Sequence, residues 1–105
     1  MDINQIQQPL NQFLQAVSKN VRVDQLIIFG SYLEGKARSD SDIDVVVVSE
    51  NFRNIDPFYR SRMLDNAAGD INPEIQAWGF TAEELEAADE LTTLGYARTS
   101  GIRFI

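Results

Sequence analysis

Along the chain, the spacing of apolar positions switches between the helical and the extended period. Leu10, Phe13, Leu14 and Val17 recur at i, i+3, i+4 and i+7, which predicts an amphipathic helix ending near Asn20. Pro9 suits its first turn, where a missing N–H is harmless, and Ile3 and Ile6 suggest a helical turn before it. Val21 to Asp24 leads into the stretch Leu26 to Val48, where the pattern changes to unbroken apolar runs. Leu26 to Phe29 meets Gly30-Ser31, and Asp42-Ile43-Asp44 meets Val45 to Val48. Runs this short, largely β-branched and bounded by Gly, Ser and Asp, predict two strands buried on both faces. Ser49-Glu50-Asn51 then reads as a polar turn.

Asp56-Pro57 reads as an N-cap followed by proline at the first helical position. The helix so opened carries Phe58, Tyr59, Met63 and Ala67 and stops at Gly69. Its Arg60 and Arg62 are expected to be solvated surface charges. Within Ile71 to Trp78, the alternation of Ile71, Ile75 and Ala77 against polar neighbours predicts a third strand, which Pro73 restricts to an early or edge position. Thr81 and Glu84 form a capping box for a further helix continued by Leu85 and Ala88. From Asp89 a last helix with the stripe Leu91, Leu94, Ala97 runs to Gly101, and Ile102 to Phe104 is left as a final strand. The order describes an α/β (α+β) chain, a small sheet of three to four strands flanked by helices.

Composition narrows the chemistry. A length of 105 residues is expected to make one domain, burying roughly 65% of its unfolded surface. A formal charge of −7 argues against direct nucleic-acid binding, which needs a basic face, and fits a partner with a basic surface. The chain has no Cys and no His, so disulfides, thiol nucleophiles and Ser-His-Asp catalysis are excluded and carboxylates must do any acid–base work. No apolar run approaches the ~18 residues of a membrane span, and the N-terminus lacks the regions of a signal peptide. A cytoplasmic protein is expected.

Asp42 and Asp44 carry the strongest chemical signal. In a strand, positions i and i+2 share a face about 7 Å apart, where two carboxylates repel by roughly 2 kcal/mol at an effective dielectric near 20. A strand leading into four valines calls for a cation to offset that repulsion. Magnesium is the natural one, since it takes a few carboxylates and completes its shell with water and phosphate oxygens. Upstream, Gly30-Ser31 leaves a strand in a turn whose N–H groups can approach a phosphate. Two rival motifs fail. Gly30 to Lys36 fits G-x-x-x-x-G-K, but Ala37 stands where a P-loop needs Ser or Thr. Asp40-x-Asp42-x-Asp44 begins like a calcium loop, but Val45 and Asn51 stand where Gly and Glu are required.

Gly30-Ser31, Gly35 and Ser41-Asp42-x-Asp44, following a strand, resemble the signature of the DNA polymerase beta-like nucleotidyltransferases. At this length the chain is similar to the minimal nucleotidyltransferases (MNT), the antitoxin halves of prokaryotic two-gene modules. The resemblance implies the polymerase beta-like fold with a small mixed sheet. It implies that Gly30 and Ser31 hold the β- and γ-phosphates of ATP and that Asp42 and Asp44 ligate two Mg2+ ions. Such a pair, about 3.5–4 Å apart, clamps the attacking and leaving oxygens. The family's third acid lies on the strand after the intervening helix, where Glu74 falls, with Asp70 as its competitor. Glu74 would bind the ion nearest the acceptor and help the acceptor hydroxyl lose its proton. Gly35 would let the loop turn, Lys36 and Arg38 are candidates for neutralising triphosphate charge, and Ser41 would order the loop ahead of the strand. A helical acceptor-binding domain of the larger family members is not expected in this chain. In the minimal relatives the acceptor is a tyrosine hydroxyl of a helical ribonuclease toxin of the HEPN family, which adenylylation silences. The resemblance thus implies AMP transfer from ATP to a partner protein, within a hetero-oligomer or a passing encounter. A module that masks its partner stoichiometrically is the alternative.

Overall fold

The computed structural model describes residues 3–30 and 41–105. A four-stranded sheet has the order β3-β2-β1-β4. Strand β1 (Gln25–Phe29) pairs antiparallel with β2 (Ile43–Val48), β2 runs parallel to β3 (Ile75–Phe80), and β4 (Ile102–Arg103) pairs antiparallel with the free side of β1. The sheet is mixed, as expected, and β3 is an edge strand, in keeping with Pro73 just before it.

The two central strands are buried on both faces because each face has its own helical layer. On one face Leu26, Ile28, Ile43, Val45, Val47 and Ile75 pack with Leu10, Phe13 and Val17 of α1 (Gln7–Ser18) and with Leu64 and Ala68 of α2 (Pro57–Ala68). On the other, Ile27, Phe29, Val46 and Val48 pack with Leu85 of α3 (Ala82–Ala87) and Ala97 of α4 (Thr93–Ser100). Strand alternation splits the valine run between the layers: Val45 and Val47 face one core, Val46 and Val48 the other. A 3-10 turn at Ile3–Ile6 precedes α1. Among the described residues, no helix is long and apolar enough to cross a membrane.

The caps form where the sequence places them. Asp56 Oδ1 accepts the Phe58 N–H at 2.8 Å, with Pro57 opening α2 and Gly69 closing it. Thr81 Oγ1 accepts the Glu84 N–H at 3.2 Å while Glu84 Oε1 accepts the Thr81 N–H at 2.8 Å.

The turn expected after β2 forms as a 3-10 turn at Glu50–Phe52 capped by a fully buried Ser49, whose Oγ accepts the Asn51 N–H. Helix α2 carries Phe58 and Tyr59 as expected and leaves each 61% exposed; its inner face is Arg60, Leu64 and Ala68. Other expectations are corrected. Arg60 is therefore not a solvated charge but 5% exposed. Strand β3 starts at Ile75 rather than Ile71, because its ladder to β2 begins with the Ile43–Ile75 pair. Leu91 lies ahead of α4 and is 96% exposed, since Thr92 caps that helix by accepting the Gly95 N–H.

Candidate active site

One strand end and two strand starts meet at one end of the sheet. β1 ends at Phe29 and the chain enters Gly30 with φ of +82°, a left-handed conformation that glycine alone adopts freely. A second constraint coincides there. A Cβ on Gly30 would press into the carboxylate of Asp44, whose Cγ would lie 3.2 Å away. The glycine is thus required both by its backbone and by the aspartate it makes room for. Changing Gly30 to Ala is expected to destabilise the fold by about 2 kcal/mol, combining left-handed backbone strain with the displaced carboxylate. Urea melts check this: an Asp44→Ala background should recover part of the loss, and full additivity would mean that the two groups do not collide.

Asp44 lies on β2, half-buried, between Phe29 of β1 and Gln76 of β3. Asp42 is exposed and immediately precedes the strand. Alternation directs both to the α3/α4 side of the sheet, since Ile43 between them is buried in the opposite core. Burial pushes the Asp44 carboxyl above its ordinary value, and the charge of Asp42 adds to the shift. Desolvation leads here because Asp42 is itself open to water, so their repulsion is screened below what two buried charges would feel.

The Ile43 N–H donates to the Glu74 carbonyl at 2.8 Å, so Glu74 stands beside Asp42 at the threshold of β3. Its exposed carboxylate accepts a hydrogen bond from Gln76 Nε2 at 3.2 Å. Asp70 is exposed in the turn after α2, outside the strand ladder. Ser41 is half-buried just ahead of Asp42. Ser31, Gly35, Lys36 and Arg38 lie outside the described residues. Among the described residues, no three carboxylates converge closely enough to hold an ion.

Hard, anionic oxygens on Asp42 and Asp44 are the donors a small divalent cation prefers, with the remaining positions left to water and phosphate oxygens. The raised Asp44 carboxyl makes the same point from the other side: an adjacent cation reverses the penalty that burial and Asp42 impose. The residues fit a divalent ion held jointly by the chain and a phosphorylated substrate.

Two features escape a motif reading. Gln76 shares a row with Asp44 and Phe29, and Trp78, one row further along β3, stacks at a tilt on Phe29 with ring centroids 5.7 Å apart. The period-two series Glu74, Gln76, Trp78 is visible in the sequence, but assigning it to the Asp44 face requires the register.

The family model for the nucleotidyltransferase domain matches residues 10–94. A protein of Sulfolobus solfataricus provisionally assigned as a nucleotidyltransferase has a similar structure, with a TM-score of 0.70 and 17% identity over 96% of this chain and 80% of that one. A chain from a toxin–antitoxin structure solved with AMP-PNP is also similar, with a TM-score of 0.62 and 21% identity over 89% of this chain and 69% of that one. At these identities the two structures speak to the fold. Comparison with curated proteins gives no match. The matched span takes in β1, Gly30, both aspartates and β3, and the chain belongs to the nucleotidyltransferase domain family.

Proposed function

We propose that this chain is a magnesium-dependent nucleotidyltransferase that moves AMP from ATP onto a hydroxyl of a partner protein, as the MNT antitoxin of a HEPN-type toxin. The observation that supports the reading is the packing of Gly30 against Asp44, which brings the end of β1 against the second of the two aspartates. The toxin–antitoxin neighbour with AMP-PNP supports both a protein partner and an adenine nucleotide.

In this reading the backbone at Gly30 and Ser31 holds the terminal phosphates, with Gly35, Lys36 and Ser41 from the same loop. Asp42 and Asp44 would hold magnesium, which supplies charge neutralisation on the reacting phosphate. The acceptor oxygen attacks the α-phosphorus as the bond to the bridging oxygen breaks, pyrophosphate leaves, and the hydroxyl proton passes to Glu74. Glu74 sits on the side of Asp42 away from β1, where an in-line acceptor would enter. Gln76 orients the Glu74 carboxylate through its amide.

Stoichiometric masking is the competing reading, favoured by the exposed, unconverged position of Glu74. Turnover separates the two. With ATP and magnesium, substoichiometric protein is expected to inactivate an excess of the toxin encoded beside it. The toxin should gain the mass of one or more AMP groups and stay inactive once this protein is removed. Neutralisation that needs one copy per partner and ignores ATP would establish masking instead.

A further inference from the structure

We propose that the cleft between the Phe29–Trp78 pair and the first turn of α4 seats the nucleobase of the substrate; this rests on the nucleotidyl-transfer reading and adds where the base lies. The cleft holds about 100 Å³ and is lined by Phe29, Val46, Trp78, Phe80, Thr93 and Leu94. It is on the same sheet face as Asp44, displaced along the strand by one row: Val46 is its floor, and Phe29 is the direct partner of Asp44. Two residues of strand span about 7 Å, the reach of a ribose between a base and its α-phosphate. A nucleotide with its α-phosphate at the aspartates is therefore placed to lay its base here.

The lining states what kind of group fits. Among the described residues Thr93 is the only polar one in the cleft, so recognition is by apolar contact and stacking. The cavity is far smaller than the ~300 Å³ at which whole-ligand pockets begin, so it admits a ring and leaves sugar and phosphates outside. Trp78 is 38% exposed on an edge strand, unusual for the chain's sole tryptophan beside an otherwise closed core. Its indole offers the sort of face on which bases stack irrespective of identity. With one hydroxyl available for edge recognition, the cleft should discriminate weakly among bases.

Because Trp78 is the only tryptophan, its fluorescence reports the cleft directly in the unmodified chain. Titration with MgATP is expected to quench it to saturation, while magnesium tripolyphosphate should raise the melting temperature without quenching. Trp78→Ala should raise KM for ATP about tenfold with kcat retained, and Trp78→Phe should restore most of the loss. Equal quenching by both ligands, stabilisation by MgATP with no quenching, or a fall in kcat at unchanged KM would each overturn the base assignment while leaving the phosphate site intact. Quenching by a tyrosine-containing partner peptide but not by MgATP would overturn it in favour of an acceptor ring. If neither ATP nor tripolyphosphate binds, the nucleotidyl-transfer reading itself fails, and this proposal with it.

Discussion

Exchanging Asp44 for Asn is expected to lower nucleotidyl transfer by about 10³-fold or more, since charge neutralisation by a bound cation is worth several kcal/mol of transition-state stabilisation. Asp42→Asn should do the same, although Asp42 is exposed, because in the proposed site both carboxylates share the cation. Stability should move the opposite way for Asp44. Its carboxyl lies above the ordinary value through burial and then through Asp42, so the native state holds the proton more tightly than the unfolded chain. Stability therefore falls as pH rises from the ordinary carboxylate range through the raised value. Without divalent metal, Asp44→Asn should melt above wild type at neutral pH, and the gap should close in acid. Added magnesium and ATP should stabilise wild type alone. Melts across pH with and without MgATP, beside a labelled-ATP assay, read all of this. A mutant that MgATP stabilises as strongly as wild type would remove Asp44 from the site.

The candidate site is legible in the sequence because its signal is local. Gly30 needs only its own backbone angle and the strand before it; Asp42 and Asp44 need only strand alternation. The sheet was legible too, since the valine run implies cover on both faces and Pro73 restricts the third strand to an early or edge position. What the sequence hid depends on distant partners. Gln76 and Trp78 join the site only through the parallel register of β3 on β2. The buried face of α2 was not legible either, because Phe58 and Tyr59, the most apolar residues of the first turn, form an exposed edge-to-face pair with Arg62 lying over Phe58. Helical period fixes the width of a buried stripe but not its phase when a charged residue is also taken inside. Arg60 shifted that phase, and two of its three hydrogen-bond partners are 19 and 24 residues away.

Arg60→Met is accordingly expected to destabilise the fold by about 3 kcal/mol, or roughly 15 °C in melting temperature for a chain of this size. Methionine retains the volume and the apolar stem but removes the donors. Arg60 Nε donates to the Ile55 carbonyl at 2.8 Å, and one terminal nitrogen donates to the Gly79 carbonyl at 3.2 Å and to Glu84 Oε1 at 2.7 Å. The guanidinium also stands 5.7 Å from the centroid of the Phe52 ring. One side chain thus joins the entry to α2, the end of β3 and the capping box of α3. Losing it leaves a buried carbonyl at Gly79 without this donor, the kind of loss that carries the full desolvation penalty. Glu84→Gln should cost only about 1 kcal/mol, since that carboxylate is partly solvated and an amide oxygen still accepts. Burial pushes the Glu84 carboxyl up, but hydrogen bonds from Thr81 and Arg60 outweigh it and hold the group below its ordinary value. Its contribution is therefore present above the ordinary carboxylate range and lost as pH falls through the lowered value. Wild type should show this acid-side loss and Arg60→Met should show less of it. Urea melts of both variants at neutral and acidic pH measure the difference. A loss below about 1 kcal/mol for Arg60→Met would mean that water, not Arg60, satisfies the Gly79 carbonyl.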